Sequence, residues 1–150
     1  MGQIKKSLIL SFALFSGLLL TGCTAIKTAD KADKHVYFGE KKIKVELVTT
    51  EADKIKGLSD RRSLCADCGM LFVYNAPSAR SFWMKDMNFP LDIIWLKDNQ
   101  VVGASENLPP AGERPTELYA SPGPVNMVLE ANAGFVASHG IRAGDEVRIE

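Results

Sequence analysis

The segment richest in chemistry runs from Ser81 to Asp92, Ser-Phe-Trp-Met-Lys-Asp-Met-Asn-Phe-Pro-Leu-Asp. Trp83, Lys85, Asp86 and Asp92 stand there among large apolar residues. Polar groups in an apolar surround are what a lined pocket needs, and also what a core with one internal ion pair needs. Asp92 lies between Leu91 and Ile93, where a carboxylate must be paired or hydrogen-bonded. On the structural reading Asp92 pairs with Lys85 or Arg61, or bonds backbone groups to fix a loop. On the functional reading it faces a ligand, with Trp83 or Trp95 as an apolar platform. A carboxylate beside an aromatic ring is a common way to hold a sugar or an amine. The candidate ligand-binding residues are Arg61, Trp83, Lys85, Asp92, Trp95, Glu106 and Glu130. Residue by residue the structural reading weighs slightly more; for the cluster as a whole the pocket does. Asp92 and Glu130 can also be drawn as an acid–base pair. Nothing in the sequence fixes their separation, so no reaction follows from them.

Cys65-Ala66-Asp67-Cys68 is a second constellation. Outside the cytoplasm its thiols are expected to oxidise, giving a disulfide between Cys65 and Cys68 that stiffens the loop before Gly69. The loop so closed is very short, so its entropic gain is small. A redox pair ranks second, because a strand and not a helix follows and no βαβ pattern surrounds it. A metal site ranks third: His35 and His139 stand far apart and there is no second Cys pair to complete a ligand set. There is no Gly-rich phosphate loop and no G-x-S-x-G elbow, so no cofactor is expected. Ser138-His139 near Asp145 is not a triad signature, and His139 is expected to cap a helix C-terminus.

The N-terminus reads as an export signal over residues 1–22. Lys5 and Lys6 precede an apolar run, Leu8 to Leu20, that is too short for a convincing spanning helix. Leu20-Thr21-Gly22-Cys23 resembles a bacterial lipobox, which implies cleavage before Cys23 and acylation of that residue. Several acyl chains on one residue would hold the protein stably at a membrane. By the same resemblance Thr24 favours the outer membrane, facing the periplasm, in a Gram-negative cell. Residues 23–34 are small and charged without apolar periodicity, a flexible tether. The folded domain is expected over 35–150, enough for one small core. The chain has 18 basic and 18 acidic residues and no basic face, so nucleic acid is not an expected partner.

The elements that must position these groups are short. Val36–Phe38 and Lys41–Val48 read as a hairpin around Gly39-Glu40, with Ile43, Val45 and Leu47 alternating with charged residues. Thr50-Glu51-Ala52-Asp53 reads as a capped helix start, ending at Gly57. Its apolar residues are few, which places it on the sheet surface. Met70–Tyr74 is a strand buried on both faces, Asn75–Ser78 a turn, and Phe82–Met84 and Leu91–Lys97 strands. Lys97–Gln100 is a tight turn returning Val101–Ser105 antiparallel. Asn107–Pro124 is a long Pro/Gly-rich loop, either functional and mobile or a rigid crossover. Val125–Glu130 is a strand, Ala131–Ser138 a short helix and Glu146–Ile149 a closing strand. The fold class expected is mainly β (α+β by count), a compact antiparallel β-barrel or sandwich-like domain with two short helices.

The domain resembles the DUF192 family, also called UPF0127. The matching parts are Gly57-Leu58 with Arg61 and Leu64, Gly69-Met70-Leu71-Phe72, Phe82-Trp83-Met84-Lys85 and Pro90-Leu91-Asp92-Ile93, then Leu129-Glu130, Gly134 and Gly144-Asp145. The resemblance implies a compact β-rich domain, often exported or membrane-attached, and no established activity. Three functional readings follow. The first is a tethered lipoprotein binding a small polar ligand or an envelope polymer, with carbohydrate one option. The second is an envelope enzyme or redox accessory using the carboxylates or the Cys65/Cys68 pair. The third is an interaction module using the Pro/Gly-rich loop.

Overall fold

The computed structural model describes residues 34–150. The export signal, Cys23 and all but the last residue of the expected tether lie outside the described residues. Strands β1 (Lys34–Phe38) and β2 (Lys41–Val48) form the expected hairpin, with Gly39 at φ 60° in its turn. Helix α1 (Glu51–Lys56) starts at Thr50, whose hydroxyl accepts from the Asp53 amide at 3.2 Å. It ends at Gly57 and buries no residue. Then come β3 (Cys68–Ser78), β4 (Ser81–Phe82), β5 (Leu91–Lys97) and β6 (Gln100–Leu108). Strands β7 (Tyr119–Ala120) and β8 (Val125–Asn132), helix α2 (Phe135–His139) and strand β9 (Arg148–Ile149) complete the chain.

Seven strands form one sheet in the order β6-β5-β8-β3-β2-β1-β9, which curls into a half-barrel. Its two ends approach each other at one corner. There the Val101 amide donates to the Asp145 carbonyl at 2.9 Å, and the Val147 amide to the Asn99 carbonyl at 2.8 Å. The fold class read from the sequence is confirmed, with one difference. The β2–β3 pair is parallel, because the chain crosses over through α1 between them instead of turning back.

Alternation on the central strands divides the buried side chains into two clusters. Ile43, Leu71, Ile94, Leu96 and Leu129 face the inside of the curl, where Phe135 and Val136 of α2 join them. Met70, Phe72, Ile93, Trp95 and Val128 face outward and are covered by Leu58, Met84, Met87 and Leu108 from the connecting segments. The outer cover is the Ser81–Asp92 segment itself, zipped to the Pro/Gly-rich loop. Strand β4 pairs with β7, Lys85 bridges to Ala111, and the Ala111 amide donates to the Met84 carbonyl at 3.0 Å. Of the two readings of that loop, the rigid crossover is the one the hydrogen bonds describe.

Candidate functional site

Asp92 and Glu130 occupy neighbouring strands one register step apart. Asp92 is opposite Ala131 and Ile93 opposite Glu130. Ala131 belongs to the inner cluster and Ile93 to the outer one, so the two carboxyl groups leave the sheet on opposite faces. They cannot act on one substrate atom as an acid–base pair.

Asp92 is fully buried, with both carboxylate oxygens hydrogen-bonded. One carboxylate oxygen accepts from the Asn107 amide and the other from the Val136 amide, each at 2.8 Å. Val136 is in the first turn of α2, whose own N-cap is Gly134 and has no side chain to offer. Asp92 therefore caps α2 from β5 and ties down the Asn107 turn, where φ is 53°. It pairs with neither Lys85 nor Arg61. Arg61 is held instead by a two-pronged ion pair with Glu46, one contact at 2.9 Å. Lys85 is half-exposed beside Asp86, 3.9 Å away. Trp95 is buried, with its indole N–H donated to the Ser105 hydroxyl at 3.2 Å. Glu106 is exposed on β6. Of the seven candidates, Arg61 and Glu130 come near each other, while Asp92 leaves the sheet on the other face.

Glu130 differs from Asp92. Its Oε2 is buried with no hydrogen-bond partner. Burial pushes its carboxyl up to about 8, with the nearby Arg61 charge opposing the shift. The space above it is closed by Gly57, where a Cβ would stand 3.5 Å from Phe72 Cζ and 3.9 Å from Glu130 Oε2.

The open site lies nearby, where α1 faces the β3–β4 connection. A groove of about 400 Å³ is lined by Lys54, Ile55, Tyr74, Arg80, Trp83 and Leu118, among others. Glu51, Lys54 and Ile55 reach it from one face of α1, spaced i, i+3, i+4. Tyr74 carries two cations: Arg80 lies 3.7 Å and Lys54 4.3 Å from its ring centroid. Burial raises the Tyr74 phenol above its ordinary pKa, against the pull of Arg80. Phe82 closes the floor, edge-on to Phe72 at 5.0 Å and to Trp95 at 5.7 Å. Ile55, Trp83 and Leu118 are 72%, 48% and 65% exposed, and they are the large apolar side chains left open among the described residues. All three line this groove.

Of the sequence-predicted residues only Trp83 is in the groove. Arg80 and Leu118 were missed because each sits in a connection without periodicity. The Lys54–Ile55 face was the legible signal: a helix with so little to bury, yet carrying an isoleucine. Cys65 and Cys68 are joined as a disulfide, Cα to Cα 5.1 Å, with Cys65 exposed and Cys68 half-buried at the start of β3. Among the described residues no group of three His, Cys, Asp or Glu could hold a metal ion.

Comparison with known proteins fits this geometry. The family model DUF192, described as "Uncharacterized ACR", matches residues 34–149. The chain belongs to the DUF192 family. Two solved structures share the fold of this DUF192 domain. One, from Novosphingobium aromaticivorans DSM 12444, is a protein of unknown function with TM-score 0.68 and 36% identity; the match covers 77% of this chain and 83% of that one. Another, from Sinorhizobium meliloti 1021, is described as a candidate transcription regulator, with TM-score 0.69 and 29% identity over 77% of this chain and 91% of that one. No curated protein matches the DUF192 chain.

Proposed function

We propose that this DUF192 protein is a ligand-binding module of the cell envelope, held at a membrane by lipid on Cys23, with the α1/β4 groove as its site. One observation carries the binding reading: the exposed large apolar side chains Ile55, Trp83 and Leu118 all line one groove. Apolar residues scattered singly over a surface need no explanation, whereas a group gathered around one concavity marks a contact surface. The lipobox-like Leu20-Thr21-Gly22-Cys23 supports the anchor.

The two-carboxylate enzyme reading loses support because Asp92 and Glu130 face opposite sides of the sheet, which does not bear on a redox role for the Cys65–Cys68 disulfide. The interaction-module reading loses support because the Pro/Gly-rich loop is bonded down over the outer cluster. The regulator description belongs to the Sinorhizobium protein and finds no support in the helices of this domain. The two helices among the described residues, six and five residues long, are too short for a recognition helix.

A thermal-shift screen of the purified protein with sugars, cell-wall fragments, amino acids and amphiphiles tests the reading. A ligand at about a hundred times its dissociation constant adds roughly 2.7 kcal/mol, a visible shift for a small domain. Trp83→Ala should abolish the shift while leaving the unliganded melting point in place. A shift that survives Trp83→Ala would put the ligand elsewhere.

A further inference from the structure

We propose that the groove's ligand carries an anionic head, carboxylate or phosphate, on an apolar body, and that Arg80 receives the head. This deepens the binding reading above and rests on it. The side chains lining the groove argue for the class. Glu51 is the one carboxylate among them, and it is engaged by Lys54 at 2.8 Å. The sugar or amine expected from a carboxylate beside an aromatic ring therefore has no free carboxylate to meet in the groove.

Arg80 is the uncompensated charge. It makes no ion pair with any described carboxylate. Its Nη2 donates to the Ala76 carbonyl at 3.2 Å, and its Nε is buried without a partner. A guanidinium ordinarily finds a carboxylate or several oxygen acceptors when it is partly buried, so one held mainly by a ring has been left with its charge unmet. Its position is fixed from both sides of the backbone. The Arg80 amide donates to the Ser121 hydroxyl at 3.0 Å, and the Ser121 amide donates to the Arg80 carbonyl at 2.8 Å. The Tyr74 ring holds the side chain, its centroid 3.7 Å from the guanidinium carbon. A fork so held can take a carboxylate or a phosphate with little ordering cost. Trp83, Leu118 and Ile55 then receive the apolar body, in a volume suited to a small amphiphile.

The test is a calorimetric titration of the purified protein with compounds sharing one octyl body and differing in the head. Octanoate and octyl phosphate carry the anion, octylamine a cation, and octyl glucoside no charge; inorganic phosphate is the head alone. All are used below their micelle concentrations. Octanoate and octyl phosphate should bind at least ten-fold tighter than the other two octyl compounds and than inorganic phosphate. Arg80→Met should weaken the anionic compounds at least ten-fold and leave octyl glucoside unchanged, with Arg80→Lys restoring much of the loss. Octylamine or octyl glucoside binding as tightly as the anions would overturn the anionic class while leaving the groove as a binding site. If no octyl compound binds, the groove reading itself fails, and this inference with it. Arg80→Met binding the anions like the parent would overturn the role of Arg80. Sedimentation of a chain starting at Thr24, without the apolar signal and the acylated cysteine, with phosphatidylglycerol or phosphatidylcholine vesicles separates the sources. Capture by phosphatidylglycerol alone assigns the head to a membrane lipid; capture by neither, with octanoate bound, assigns it to a free amphiphile.

Discussion

The Glu130 carboxyl is pushed up to about 8 because it lies in the outer cluster, with one oxygen that no group reaches. In the unfolded chain it titrates at its ordinary value of 4.5. Between those two values the unfolded state has lost a proton that the folded state keeps. Stability therefore falls as pH rises, by about 1.4 kcal/mol per pH unit from this group. Its contribution is fully present below the unfolded value and is gone above the folded one. Glu130→Gln should flatten that part of the profile, and urea denaturation at several pH values would show it; a variant with the parent's slope would rule the account out. Asp92 acts through its hydrogen bonds. Asp92→Ala leaves the buried Val136 N–H and the part-buried Asn107 N–H unmet and should cost about 2 kcal/mol. Asp92→Asn keeps one acceptor and should cost less. Denaturant midpoints measure both. Neither change should alter ligand affinity in a protein that remains folded, and a selective loss of binding would return Asp92 to the site. The sequence showed that Asp92 needed a partner, because an acid between Leu91 and Ile93 is costly anywhere. It could not show that the partners are backbone amides, since these come from a turn and a helix brought together only by the curl of the sheet. Nor could it show that Arg61 turns to Glu46.

The elements most legible in the sequence were those whose pattern is local. Lys41–Val48 alternates and is a strand over those residues; Thr50 and Gly57 bound α1 as capping chemistry dictates. The misreadings came where tertiary contacts decide. Asn75–Ser78 reads as a turn through Pro77, yet it continues β3, with a register shift against β8 between Val73 and Ser78. Phe82–Met84 reads as a strand, yet only Ser81–Phe82 pairs, because the partner β7 is two residues long. Gly69 shows what a close strand approach demands. A Cβ there would lie 2.7 Å from the Glu130 carbonyl oxygen and 3.0 Å from both Ile43 Cδ1 and Leu129 Cδ1. The first contact is with backbone of a central strand and cannot be relieved by a rotamer change. Gly69→Ala should destabilise by about 3 kcal/mol or more, with β3 and β8 forced apart. Thermal melting would test this, and a melting point within a degree of the parent's would show that the strands can part freely. The Cys65–Cys68 disulfide stands just before this contact, and Asn132 of β8 donates to the Cys65 carbonyl at 2.9 Å. The closed loop is so short that reduction should lower stability by only about 2 kcal/mol, and comparing denaturation with and without reductant measures it.

At the scale of the molecule the curl of the sheet is held by its last residues. Strand β9 pairs with β1 through Val36–Ile149 and Tyr37–Arg148. The backbones of His35 and Glu150 exchange two further hydrogen bonds, at 2.8 and 2.9 Å. Val147 is buried in the inner cluster, Ile149 packs against it, and the segment before β9 joins the start of β6. The C-terminal residues thus close the corner where both ends of the sheet meet, and they cover the apolar inner face of β1. A closing strand was legible at Glu146–Ile149, of which Arg148–Ile149 pairs as β9, but its role was not, because pairing between β1 and β9 is the least local strand pairing among the described residues. Deleting Val147–Glu150 should remove about 3–5 kcal/mol, from two aliphatic side chains and the lost pairing. It should also leave β1 as a bare edge with Val36 behind it, and bare edges recruit other strands. Urea denaturation measures the first effect and size-exclusion chromatography the second. The groove between α1 and β4 lies on the outer face, so the truncated protein should bind its ligand normally wherever it remains folded. Unchanged stability in a monomeric truncated protein would mean that the sheet holds its curl through β1, β2 and α2 alone.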